Sequence, residues 1–183
     1  TMPILGHVLI TGSSGEITLT ATDLEVQISS KFKANISDDF QITLPGRKLF
    51  EILRSLDNTE IEFSINGESV VLKTTKSKYS LQQLPSNEFP LFDITESDQT
   101  FSINQQVLSE TFIKTQFAMA QQDVRFYLNG LLLEINPETL DVVGTDGHRL
   151  AKTSTELDKK GVNERSCIVP RKAIQELTRS LPG

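Results

Sequence analysis

Two imperfect copies of one segment pattern recur in the same order, and this constrains the fold more than any local signal. Pro45-Gly46-Arg47-Lys48-Leu49-Phe50-Glu51-Ile52-Leu53-Arg54-Ser55-Leu56 pairs with Pro170-Arg171-Lys172-Ala173-Ile174-Gln175-Glu176-Leu177-Thr178-Arg179-Ser180-Leu181, with Pro, Glu, Arg, Ser and Leu at matching places. Ala21-Thr22-Asp23-Leu24-Glu25 pairs with Gly144-Thr145-Asp146-Gly147-His148, and Leu5-Gly6-His7-Val8-Leu9 with Asn129-Gly130-Leu131-Leu132-Leu133. The offsets run from 123 to 125 residues, longer than any solenoid repeat, so the duplicated unit is a domain.

Each copy must therefore bury a core of its own. With 183 residues and 37% hydrophobic content the chain can fill two. The expected division is a first domain over 1–97 and the leading part of a second over 98–183, with the boundary at Glu96-Ser97-Asp98. A helix pattern from Asn104 to Ala120 precedes the second copy and has no counterpart before Thr1, while strands follow Leu56 with none after Gly183. Both ends thus fall inside a repeat unit. The chain is expected to be a fragment that associates through its cut ends.

Within the first copy, Gly12-Ser13-Ser14-Gly15 is a turn, and Ile17, Leu19 and Ala21 alternate with polar residues as in a half-buried strand. Val26–Ser29 and Phe40–Thr43 read the same way. Pro45 opens a helix whose apolar stripe is Leu49, Ile52, Leu53 and Leu56 and whose opposite face carries Arg47, Lys48, Glu51 and Arg54. Asn66-Gly67 closes a hairpin, with a further strand at Tyr79–Gln82. In the second copy Leu108, Phe112 and Met119, with Ile113 and Phe117 beside them, form the buried side of the helix. Cys167 reads as a packed strand residue. Asp158-Lys159-Lys160-Gly161 is a loop, and the closing helix shows Arg171, Lys172 and Arg179.

The polar chemistry points away from catalysis without removing it. Thr139–Val143 is a strand that runs into Gly144-Thr145-Asp146-Gly147-His148-Arg149-Leu150, where Asp-Gly marks a turn that carries an imidazole and a guanidinium together. Asp146, His148 and Arg149 can be read as an acid–base set or as a solvated turn. His7 and His148 belong to no Cys/His cluster, so no metal is expected, and Gly12-Ser13-Ser14-Gly15 lacks the Lys and the helix of a phosphate loop. No cofactor is expected. A single Cys is compatible with a reducing cytoplasm, and no apolar run approaches the roughly 20 residues of a membrane span. The net charge of −6 gives no overall basic character. Basic residues at both helix starts nevertheless suggest one extended, negatively charged partner. Gln121-Gln122-Asp123-Val124-Arg125-Phe126-Tyr127 is either a loop with its aromatics tucked into the core or a surface that touches phosphates or bases.

A further set of motifs is family-specific. Pro3-Ile4-Leu5-Gly6, Thr22-Asp23-Leu24-Glu25, Gln116-Phe117-Ala118-Met119-Ala120, Asp123-Val124-Arg125-Phe126-Tyr127-Leu128-Asn129-Gly130, Thr145-Asp146-Gly147-His148-Arg149-Leu150 and Val169-Pro170-Arg171-Lys172 span the whole chain. Together they resemble the bacterial sliding clamps, the β subunits of replicative DNA polymerase III. The resemblance implies an α+β DNA-clamp fold of duplicated domains, antiparallel sheets outside and helices inside, three domains to a complete subunit. Such subunits close head to tail into a cytoplasmic ring around duplex DNA, a non-enzymatic processivity factor.

By the same resemblance Arg47, Lys48, Arg54, Arg171, Lys172 and Arg179 face the central hole, and Gln122, Arg125 and Tyr127 meet DNA near the ring's face. Leu128, Thr145, Gly147, His148, Arg149 and Leu150 would form one wall of a cleft for linear motifs of polymerase subunits, the clamp loader and repair proteins, the other wall coming from a later domain. A plain β-rich interaction module remains the alternative among non-enzymes.

Overall fold

The computed structural model describes residues 2–57, 59–92, 100–157 and 163–181. The chain divides into two compact units, Thr1–Asp93 and Ile94–Gly183. The expected boundary at Glu96-Ser97-Asp98 and the loop at 158–161 lie outside the described residues.

The first unit opens with a 3₁₀ turn, Pro3–Gly6, and then β1 (His7–Ser13), β2 (Glu16–Thr22), β3 (Gln27–Lys33) and β4 (Phe40–Pro45). These pair antiparallel in the order β3-β2-β1-β4. The β1–β2 link takes φ of 52° at Ser14 and 78° at Gly15, the left-handed pair that a two-residue hairpin favours. Pro45 ends β4 and caps α1 (Gly46–Ser55), its fixed φ suited to a helix entrance. β5 (Glu62–Asn66), β6 (Ser69–Lys73) and β7 (Lys78–Gln82) form a second, three-stranded antiparallel sheet. One core joins them: Ile10, Ile42 and Leu44 of the first sheet, Leu49 of α1, and Val70, Leu72 and Leu81 of the second.

The second unit begins with α2 (Gln105–Thr115), whose Asn104 side chain accepts from the N–H groups of Gln106 and Val107. The helix expected to reach Ala120 ends earlier, at Thr115, and a 3₁₀ turn covers Gln116–Ala118. A second 3₁₀ turn, Phe126–Leu128, leads into β8 (Gly130–Ile135), followed by β9 (Thr139–Thr145), β10 (Leu150–Glu156), β11 (Arg165–Pro170) and α3 (Arg171–Ser180). The sheet order is β10-β9-β8-β11, the same path as in the first unit. Phe112 of α2, Met119, Leu131 of β8, Leu140 and Val142 of β9 and Ile174 of α3 make its core. Gly144 permits a close approach: a Cβ there would lie 2.5 Å from the carbonyl oxygen of Thr115 at the end of α2.

The duplication is thus visible as topology, with one adjustment of register. β1 sets His7 opposite Pro45, and β8 sets Gly130 opposite Pro170, so Gly130 corresponds to His7 and not to Gly6. Gly6 closes the 3₁₀ turn instead of starting the ladder. Four side chains also differ from expectation. Leu53 is 38% exposed while Leu49 carries the helix contact, because a ten-residue helix on one sheet buries only a narrow stripe. Ile113 and Phe117 are exposed beside the buried Phe112 and Met119: Ile113 is turned about 100° around α2 from Phe112, and Phe117 follows the end of that helix. Cys167 is exposed, because its strand β11 is at the sheet edge.

Candidate functional site

The turn between β9 and β10 is built by its own side chains. Thr145 Oγ1 donates to the carbonyl of Arg149 at 2.7 Å and accepts from Gly147 N at 3.1 Å. Asp146 Oδ1 accepts from the N–H groups of His148 and Arg149, each at 3.0 Å. Gly147 sits between them at φ 87°, where a glycine is unstrained. The first unit repeats this design: Thr22 Oγ1 bonds Val26 O and Leu24 N, and Asp23 Oδ1 accepts from Glu25 N and Val26 N at 3.0 Å each. There a leucine, Leu24, takes the left-handed position at φ 76°.

Asp146 is therefore a structural carboxylate. The N–H of His148, then that of Arg149, hold its carboxyl below the usual range. Its second oxygen takes Arg149 Nε at 3.0 Å, so both carboxylate oxygens serve the turn and the acid–base reading of Asp146, His148 and Arg149 gains no support from this geometry. Arg149 reaches on to Phe117, donating from Nη2 to its carbonyl oxygen at 2.7 Å, with the guanidinium 5.7 Å from the ring centroid.

The segment 119–129 packs against this turn. Asn129 brackets Asp123, accepting from its N–H at 3.0 Å and donating to its carbonyl at 2.8 Å. Asp123 grips Arg125 through Nε at 3.0 Å and Nη2 at 2.9 Å, and that fork holds its carboxyl down to about 2. The Arg125 guanidinium lies against the turn, since a Cβ at Gly147 would be 3.4 Å from both terminal nitrogens. Between the two segments is an open concavity of about 350 Å³. Phe117, Met119, Ala120, Gln121 and Asp123 line one side, and Asp146, His148 and Arg149 the other.

Of the residues expected at a cleft, His148 and Arg149 line this concavity, and Thr145 and Gly147 shape the turn behind them. Leu150 is 65% exposed, whereas Leu128 is buried and holds Ala120 through its carbonyl. Phe126 and Tyr127 are 85% and 60% exposed, which overturns the reading that tucks them into the core. Gln122 is exposed at φ 56°, a left-handed non-glycine position.

The helix faces differ between copies. Arg47, Lys48 and Arg54 are exposed on α1, with Arg47 paired to Glu51 at 3.2 Å. On α3, Lys172 and Arg179 are exposed, with Arg179 bonded to both carboxylate oxygens of Glu176 at 2.9 Å. Arg171 is partly buried and donates from Nη1 to the carbonyls of Met119 and Ala120, each at 3.3 Å. Among the described residues no cluster of His, Cys, Asp and Glu could hold a metal, and no helix is long and apolar enough to cross a membrane.

Family models of the DNA polymerase III beta subunit match residues 1–93 as its N-terminal domain and 102–183 as its central domain. The chain belongs to the DNA polymerase III beta subunit family. It is 41% identical to the beta sliding clamp of Pseudomonas aeruginosa over 99% of its own length and 50% of that protein's. Identity to the Escherichia coli beta sliding clamp is 40%, over 100% of this chain and 50% of that one. Its fold matches the crystal structure of the Pseudomonas aeruginosa beta subunit with a TM-score of 0.93 at 41% identity, covering 98% of this chain and 50% of that chain. A Pseudomonas aeruginosa clamp bound to griselimycin matches with a TM-score of 0.88 at 41% identity, over 98% and 49% of the two chains. The chain spans about half the length of the curated relatives it matches.

The clamp fold expected from sequence is the fold observed: antiparallel sheets with a few helices. Sequence reasoning missed one wall of the concavity, the residues Phe117, Met119, Ala120, Gln121 and Asp123. The signal in the sequence is Gln116-Phe117-Ala118-Met119-Ala120, a family motif that by itself reads as a helix face.

Proposed function

We propose that this chain is the DNA-encircling and partner-docking portion of a bacterial sliding clamp, a non-enzymatic processivity factor acting in the cytoplasm. The observation that carries the reading is the matched pair of units, each ending its four-stranded sheet in a helix with exposed basic residues, within a family whose relatives are named sliding clamps. A ring that slides must hold phosphates without reading bases, and Lys and Arg on helices do this. Arg47, Lys48, Arg54, Lys172 and Arg179 are the phosphate-facing set, joined by Gln122 and Tyr127 on the exposed loop of the second unit. Head-to-tail pairing with a second subunit would close the ring.

The concavity beside His148 and Arg149 is proposed as part of the docking cleft for linear motifs of polymerase subunits, the clamp loader and repair proteins. Its lining sets Phe117, Met119 and Ala120 beside an amide, two carboxylates, an imidazole and a guanidinium, which suits a short peptide that offers both apolar and polar groups. Two experiments test the reading. A full-length protein carrying this chain stays on circular duplex DNA and leaves when the DNA is linearised; equal loss from both forms overturns the clamp assignment. Griselimycin, found on the Pseudomonas aeruginosa clamp, shifts the NMR resonances of Phe117, Gly147, His148 and Arg149 in the same protein. Shifts confined to other surfaces overturn the cleft assignment.

A further inference from the structure

We propose that Arg171 is a positioning residue for the docking cleft, holding the Met119–Asp123 wall in place, and is not a phosphate contact; this rests on the cleft reading above. Its Nη1 group donates to the carbonyls of Met119 and Ala120, at 3.3 Å each, and both residues line the concavity. Its backbone N–H donates to the carbonyl of Asn129 at 2.8 Å. Asn129 in turn brackets Asp123 through its side-chain amide, at 3.0 and 2.8 Å. One residue at the start of α3 therefore fastens both ends of the loop that forms this wall. The loop's neck is closed by a single backbone bond, Ala120 N to Leu128 O at 3.0 Å.

The comparison of copies supports the same assignment. Aligned on Pro45 and Pro170, Arg171 falls where the first unit has Gly46, while Lys172 falls on Arg47. The cation shared by both units is thus the second helix residue, and Arg47 there is exposed over 91% of its side chain. Arg171 is thus a cation of the second unit's helix start that the first unit's does not share. A guanidinium suits the task, because Nη1 carries two N–H groups, enough for two neighbouring carbonyls, and the group stays charged.

Amide hydrogen exchange on the full chain tests the role without any ligand. Arg171→Gln is expected to speed exchange at Ala120, Leu128 and Asn129 by about tenfold or more, the scale of losing one or two hydrogen bonds. The β9–β10 ladder should keep its protection, Arg171→Lys should recover part of the loss, and Gln175→Ala, on the exposed side of the same helix, should change nothing. Griselimycin binding by the full-length protein should weaken about five- to twentyfold in Arg171→Gln. Unchanged exchange at Ala120 overturns the proposal, and so does an equal loss of protection across the whole unit, which is mere destabilisation. If the parent protein fails to bind griselimycin while Arg171→Gln still loosens Ala120, the cleft reading falls and the positioning role stands.

Discussion

Arg149 donates from Nη2 to the backbone carbonyl of Phe117 at 2.7 Å, tying the β9–β10 turn to the segment that follows α2. With Nε on Asp146, the guanidinium uses two sides of its fork on two segments. A lysine cannot span both. Arg149→Lys is expected to weaken griselimycin binding about three- to tenfold, while unfolding free energy changes by less than about 1 kcal/mol, because the group is exposed. Calorimetric titration alongside urea unfolding of the full-length protein checks both halves; a large stability loss would make Arg149 a fold residue.

The two copies of the Thr-Asp turn differ at their left-handed position, Gly147 at φ 87° and Leu24 at φ 76°. Gly147→Ala should destabilise by about 1 to 2 kcal/mol, since the new Cβ adds backbone strain. It would also come into van der Waals contact with the Arg125 guanidinium, 3.4 Å away. Leu24→Gly removes strain at the matching place and should be neutral or stabilising by up to about 1 kcal/mol, relief being partly offset by a freer unfolded chain. Denaturant midpoints of the two variants should therefore move apart; movement together would mean the turns are not equivalent.

The Asp123–Arg125 fork depends on pH in one direction. The folded carboxyl titrates at about 2 against an ordinary 3.8. Its contribution is complete above pH 3.8, fades as pH falls, and is gone once pH passes below about 2. Carboxyl NMR titration should show the low midpoint in the parent chain. Arg125→Gln should return it toward 3.8; a midpoint that stays low would assign the shift to other donors.

Leu49 and Leu53 are adjacent turns of one helix with different duties. Leu49 is 4% exposed in the core of the first unit, and Leu49→Ala should cost about 2 to 4 kcal/mol by urea unfolding. Leu53, 38% exposed, should lose less than about 1.5 kcal/mol on the same change. Similar losses would contradict the observed helix orientation.

Lys48 and Arg54 are exposed cations on α1. If they meet phosphates, Lys48→Glu with Arg54→Glu should shorten retention of a full-length clamp on circular DNA. The slope of log affinity against log salt should also become shallower by about 2, near 0.9 per phosphate contact. An unaltered slope would remove α1 from the phosphate-facing set.

Much of this was legible in the residues alone. The Pro45 and Pro170 repeats, the paired Thr-Asp turns and the strand alternation determined two related units with one topology, because these signals act within a few residues of their own position. Hydrophobic period likewise placed Leu49 on a buried helix face. It does not settle how wide a buried stripe is or where a period ends: Ile113 and Leu53 lie outside the narrow stripes that α2 and α1 bury, and Phe117 follows the end of α2 at Thr115. Tertiary structure alone decided the duties of the arginines. Arg47, Arg125, Arg149 and Arg171 read alike as exposed cations. Yet Arg125 is held by Asp123, Arg149 reaches a carbonyl 32 positions away, and Arg171 reaches carbonyls 51 and 52 positions away. A long flexible side chain takes its role from whichever acceptor packing brings within about 3 Å, and that distance is set by the assembled core, not by the neighbouring sequence.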